Sequence, residues 1–150
     1  MSTYIESAHY VLNKHGVAAK AIGKRLEARV KVDGHVGRLV VRKVLGREIG
    51  LISIEVLDLH VPAVHHAAAI ELICRVAPSF YLGQFLFNPD TGRVTARISL
   101  PLQYGDLLED EIVLLLMGCD SILKLLLPRL KKVMDGTATP VEAADLNSDI

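Results

Sequence analysis

The sequence predicts an α+β fold, in the order α-β-β-β-α-β-β-α, with an antiparallel sheet covered on one face by helices. Arg25 to Val32 and Arg93 to Leu102 alternate polar and apolar residues with the period of half-buried strands. Short turn-forming segments, Asp33-Gly34 and Asn88-Pro89-Asp90-Thr91-Gly92, join the runs. Parallel neighbours would need a crossover of about a dozen residues. Ile112 to Leu130 repeats leucine and isoleucine at helical spacing.

Ile5, Ala8 and Leu12 recur at helical spacing behind a Thr3–Glu6 capping box, and Gly16 after His15 supplies a stop. A first helix is expected over Tyr4–His15. Leu26, Ala28, Val30 and Val32 then alternate with Arg25, Glu27, Arg29 and Lys31, and Asp33-Gly34 suits a tight turn with positive φ. Val36 to Leu45 is β-branched and basic, and Ile52, Ile54 and Val56 alternate with Ser53, Glu55 and Leu57. The meander has one apolar and one charged face, so the charged face should stay uncovered. Pro62 suits a first helical turn. The helix over Ala63–Ala77 has an apolar stripe through Ala63, Ala67, Ile70, Cys74 and Ala77, and Pro78 ends it.

Phe85 and Phe87 oppose Gln84 and Asn88 in the next strand. In its partner, Val94, Ala96, Ile98, Leu100 and Leu102 alternate with Arg93, Thr95, Arg97 and Ser99, and Pro101 falls where a missing ladder donor is tolerable. Asp106 with Glu109 resembles a second capping box, and Asp110 and Glu111 complement a helix N-terminus. The last helix is apolar over most of its girth, which usually means burial on two sides. Gly118 and Pro128 predict a bend in it, with Asp120 or Ser121 capping a second segment. From Asp135 the chain is polar without a stripe. One domain over 1–134 and a mobile polar tail over 135–150 are expected.

The composition is 51% hydrophobic with mean hydropathy +0.35. The longest apolar stretches, such as Ile112 to Met117, are far shorter than the roughly 20 residues of a spanning helix. The first residues lack the basic and apolar regions of a signal peptide. A soluble, cytoplasmic protein without membrane contact is expected, and its excess apolar surface implies a second interface, most simply a homodimer. Leu108, Ile112, Leu115, Leu116, Cys119, Leu123 and Leu126 are the expected dimer interface. Cys74 and Cys119 sit in apolar helical patterns and read as buried, inert thiols.

Net charge is zero, but Lys14 to Arg47 holds ten Lys/Arg against two acidic residues, or +8, and the remainder carries −8. Lys24, Arg25, Arg29, Lys31, Arg38 and Arg42 form a candidate basic binding face. A solvated outer sheet face is the plainer reading. Nucleic-acid binding is the alternative, and it lacks aromatic residues in these strands on which bases could stack. Asp58, His60, His65 and His66 come nearest to a metal cluster, but adjacent histidines on a helix diverge by about 100°, and zinc needs three or four converging ligands. The acidic group Asp106, Glu109, Asp110 and Glu111 is accounted for by capping and the helix dipole. No GxSxG, P-loop or GxGxxG occurs, and nothing pairs a nucleophile with a base, so no enzyme and no cofactor are expected.

With this element order, the chain resembles the bacterial YbjN-domain family, whose fold is shared with type III secretion chaperones. The likeness is most specific from Gly83 to Leu102, GQFLFNPDTGRVTARISLPL, where Gly83, Phe85, Asn88, Gly92, Arg97, Leu100, Pro101 and Leu102 stand at matching positions. It extends as a pattern over Thr3 to Met134. The resemblance implies a non-enzymatic, dimer-forming, chaperone-like domain that binds another protein or acts in regulation, with no catalytic residue to carry over.

Overall fold

The computed structural model describes residues 3–44, 46–80, 83–102 and 109–146. The elements are α1 (Thr3–Lys14), β1 (Lys20–Ile22), β2 (Arg25–Val32), β3 (His35–Lys43), β4 (Ile49–Val56), α2 (His66–Val76), β5 (Gly83–Asn88), β6 (Arg93–Pro101), α3 (Glu109–Met134) and α4 (Pro140–Ala144). Single 3-10 turns at Ala63–His65 and Ala77–Ser79 flank α2. The Thr3 side chain, Asp106 and Leu108, which the sequence assigns to capping boxes and to the dimer interface, lie outside the described residues.

The predicted α+β architecture is present. All six strands pair antiparallel in one sheet of order β1-β2-β3-β4-β6-β5. Asp33 (φ 50°) and Gly34 (φ 79°) both take left-handed conformations, as a two-residue hairpin turn matched to strand twist requires. At the β5–β6 turn the Asn88 side chain accepts from the Asp90 amide at 2.9 Å, and the Gly92 amide returns to the Asn88 carbonyl at 2.7 Å. The Asn-Pro-Asp-Thr-Gly segment therefore closes by the side-chain turn chemistry that makes Asn frequent in such positions.

Helices lie on one sheet face. Tyr4, Ile5, Ala8, Val11 and Leu12 of α1 join a single core with inward residues of every strand from β2 to β6. α1 stops as helices with a left-handed glycine do: the Gly16 amide reaches the Asn13 carbonyl and the Val17 amide the Leu12 carbonyl. α3 crosses the sheet closely enough that a Cβ on Gly118 would lie 2.6 Å from Cδ1 of Ile98. No helix among the described residues is long and apolar enough to cross a membrane.

Several expectations are corrected. A short edge strand, β1, precedes the three-stranded meander; three exposed residues give too little pattern to read. α3 is one continuous helix of 26 residues through Gly118 and Pro128. Gly118 serves close packing instead of a bend, and Arg129 Nη1 donates to the Leu125 carbonyl at 2.8 Å, beside the residue that brings no amide hydrogen. α2 buries Ala69, Leu72, Ile73 and Val76, whereas the predicted stripe of Ala63, Ala67, Ile70, Cys74 and Ala77 is exposed throughout. The buried set offers more apolar area, and burial free energy follows area. Cys74 is consequently exposed, and only Cys119 is buried.

Two further observations concern α3 and the segment after it. Ile112, Leu115, Cys119, Leu123 and Leu126 are at most 3% exposed and Leu116 is half-buried, all packed in the core of this chain. α1, α2 and α4 of the same chain also pack on this helix. Residues 135–146 contain a short capped helix. Thr139 Oγ1 accepts from the Glu142 amide at 3.2 Å, Glu142 Oε1 accepts from the Thr139 amide at 3.3 Å, and Pro140 opens α4. Ala143 then docks α4 against α2 and α3. The Thr-Pro-x-Glu signal was present in the sequence.

Candidate basic binding face

The alternation that buries Leu26, Ala28 and Val32 sends Arg25, Glu27, Arg29 and Lys31 to the uncovered face. The register extends this row. Lys20 pairs with Glu27, Arg42 with Arg25, Arg38 with both Arg29 and Glu55, and Arg97 with Ser53. Arg93 follows on the same side of β6. The face thus gathers Lys20, Arg25, Arg29, Lys31, Arg38, Arg42, Arg93 and Arg97 against Glu27 and Glu55, eight cations to two carboxylates, a net of +6. Five of the six residues singled out from sequence share this surface; Lys24 lies in the β1–β2 turn. Sequence reasoning missed Lys20, Arg93 and Arg97 because β6 comes from far along the chain to pair with β4. Their alternation was legible, but the sheet order that unites them was not.

The ion pairs leave this charge uncompensated. Glu27 is held by Arg25 at 3.0 Å, and one oxygen of Glu55 takes Arg38 at 2.7 Å and Arg93 at 3.6 Å. Among the described residues no carboxylate pairs with Lys20, Arg29 or Arg42. Arg93 Nε is buried without a hydrogen-bond partner. Arg97 sits beside the Gln84 amide, whose oxygen can accept from its Nε at 2.7 Å. Arg25 stands directly opposite Arg42, and Arg29 directly opposite Arg38. Like charges so placed destabilise a sheet by a few tenths to about 1 kcal/mol per pair. Aliphatic side chains interleave with the cations: Ile22 and Leu86 are 45% and 37% exposed at the two edges, and Val36 and Val40 are half-buried between.

The other groups singled out from sequence are held structurally. His60 Nδ1 donates to the Thr91 carbonyl at 3.1 Å and His66 Nε2 to the Val61 carbonyl at 2.8 Å, while the Val61 amide donates to the Gly92 carbonyl at 2.8 Å. These bonds strap the β4–α2 connection to the β5–β6 turn. Asp58 accepts instead from His35 at 3.1 Å. Burial opposes its ionisation, but hydrogen bonds from the Val36 backbone and from His35 hold its carboxyl below the ordinary value. No group of three or more potential metal ligands assembles among the described residues. Glu109, from the acidic cluster, pairs with Lys14 at 2.9 Å and raises the Lys14 pKa. Burial pushes the Cys119 thiol up to about 12. On the helical side, an apolar groove of about 520 Å³ runs between α3 and the β5–β6 edge, past Phe80, Leu100, Leu114 and Leu125.

No family model matches the sequence, and no curated protein matches it. Among solved structures the fold is similar to that of YbjN from E. coli, a candidate transcription regulator. The similarity has a TM-score of 0.62 and 9% sequence identity, over 88% of this chain and 90% of that one. At that identity the likeness is one of fold, and at that level it supports the resemblance read from the second half of the sequence.

Proposed function

We propose that this chain is a non-enzymatic binding domain that takes an acidic polypeptide on the uncovered face of its sheet. The observation that carries the reading is the +6 surface, with interleaved aliphatic side chains and cations left without carboxylate partners. A duplex nucleic acid would engage the cations but not Ile22, Val40 or Leu86, and among the described residues the face offers no aromatic ring to a single strand. An acidic segment with alternating apolar residues uses both kinds of side chain. The test is fluorescence anisotropy with an acidic peptide carrying interleaved leucines and, separately, a mixed-sequence DNA duplex, at two salt concentrations. Peptide binding that collapses in Arg25→Glu/Arg42→Glu supports the reading. Tighter binding of the duplex would assign the face to nucleic acid, and no binding of either would overturn both.

For self-association we propose the outward face of α2. Val64 is 82% and Ile70 44% exposed, and Ala67, Cys74 and Ala77 continue an apolar strip broken only by the Glu71–Arg75 pair. Apolar strips of this kind are usually covered. A symmetric dimer about α2 sets Cys74 near its mate. Light scattering coupled to size exclusion should give twice the chain mass and a monomer for Ile70→Glu, and mild oxidation should cross-link through Cys74. A wild-type monomer at tens of micromolar ends this reading.

A further inference from the structure

One end of the uncovered face is hollowed into a cup of about 730 Å³, walled by Lys20 and Ile22 of β1, Arg29 of β2, Arg38 of β3, Leu57 and Arg93. Its volume is that of a small-molecule site. Four cations surround it. Two carboxylates answer them: Glu27, which lines the cup opposite Lys20 and already pairs with Arg25 at 3.0 Å, and Glu55, with one oxygen shared between Arg38 and Arg93. The longer of those contacts, 3.6 Å, leaves Arg93 weakly held, and its buried Nε has no acceptor. A buried donor without an acceptor costs about 1–3 kcal/mol. Arg29 stands against Arg38 with no carboxylate of its own. The cup therefore sets four cations against Glu27 and the shared Glu55, a net of 4 − 2 = +2, beside a buried donor that lacks an acceptor.

We propose that this cup binds a phosphoryl dianion, carried by a small phosphomonoester or by a phosphorylated side chain. Two charges and three acceptor oxygens match the deficit: guanidinium forks take oxyanions in pairs of parallel bonds, and a phosphoryl group can engage Arg29 and Arg38 while accepting from Arg93. Lys20, on the edge strand, supplies a compact charge from the open side. Ile22 and Leu57 leave apolar wall for the organic part of the ligand. The inference goes beyond the polypeptide reading and stands without it, since its residues are not Arg25 or Arg42.

The test is a nitrogen-15 NMR titration of the full chain at fixed ionic strength. The probes are inorganic phosphate, glycerol 3-phosphate, a short peptide with and without phosphoserine, and succinate as a dianion that lacks phosphorus. The expected result is saturable shifts centred on Lys20, Arg29, Arg38 and Arg93. Arg29→Gln should weaken them roughly ten-fold or more through the lost charge-assisted bonds. Affinity should rise between about pH 5 and pH 7.5, as the second phosphate ionisation near 6 completes the dianion. Response to the free phosphates assigns the cup to small ligands; response to the phosphopeptide alone assigns it to a modified polypeptide. Unchanged affinity in both Arg29→Gln and Arg93→Gln, succinate binding as tightly as phosphate, or no saturable shift with any phosphate overturns the proposal.

Discussion

Gly92→Ala tests how the turn that precedes Arg93 is held. Gly92 has φ +68°, and a Cβ there would press on the Val61 backbone, with the amide nitrogen at 2.9 Å and the carbonyl carbon at 3.2 Å. The left-handed conformation costs a residue with a Cβ roughly 1–2 kcal/mol. Relieving the contact moves Val61, which is 3% exposed, and breaks its 2.8 Å bond to the Gly92 carbonyl. A lost hydrogen bond adds about 0.5–1.5 kcal/mol, for a total of roughly 1.5–3.5 kcal/mol. Gly34→Ala is the control, because Gly34 has φ +79° and nothing within 4 Å of the added atom. It should cost only the conformational part, roughly 1–2 kcal/mol. Urea unfolding compares the two directly, with unchanged slopes and a midpoint for Gly92→Ala lowered by about 1 M. A Gly92→Ala protein no less stable than Gly34→Ala would mean that the Val61 strap is loose. The position of the neighbouring Arg93 would then need another explanation.

Three further outcomes are expected. Arg29→Thr removes a like-charge pair and should raise stability by a few tenths to about 1 kcal/mol in thermal or urea unfolding, while weakening phosphate binding. A thiol reagent should modify Cys74 in the native monomeric Ile70→Glu protein and reach Cys119 only on unfolding, since burial keeps that thiol protonated. Asp58 has a folded pKa below its unfolded one, so its contribution is present above the ordinary carboxylate range and lost as pH falls through it. Asp58→Asn should flatten the loss of stability between about pH 5 and pH 3, as read from urea midpoints.

The strands were legible because a sheet covered on one side imposes a period of two, and Arg25 to Val32 and Arg93 to Leu100 obey it. The basic residues could be seen as a set for the same reason. Two helices were harder to orient. Ala63-Ala67-Ile70-Cys74-Ala77 and Ala69-Leu72-Ile73-Val76 are both valid helical stripes, and only the area available for burial against the sheet selects the second. α3 looked over-apolar because α1 and α2, distant in sequence, pack on it together with the neighbouring α4.

The sequence alone determined the α+β class, the turns that make the sheet antiparallel, the glycine stop of its first helix and the existence of a charged sheet face. Each of these arises from interactions between near neighbours in the chain. Tertiary structure decided what that face is. By returning β6 between β4 and β5, the fold brings Arg93 to the Glu55 carboxylate that Arg38 also takes, and by adding β1 it sets Lys20 opposite Glu27 in the wall of the cup. The cup and its unanswered charge exist only once those long-range pairings are made, because no local pattern specifies which strands will be neighbours.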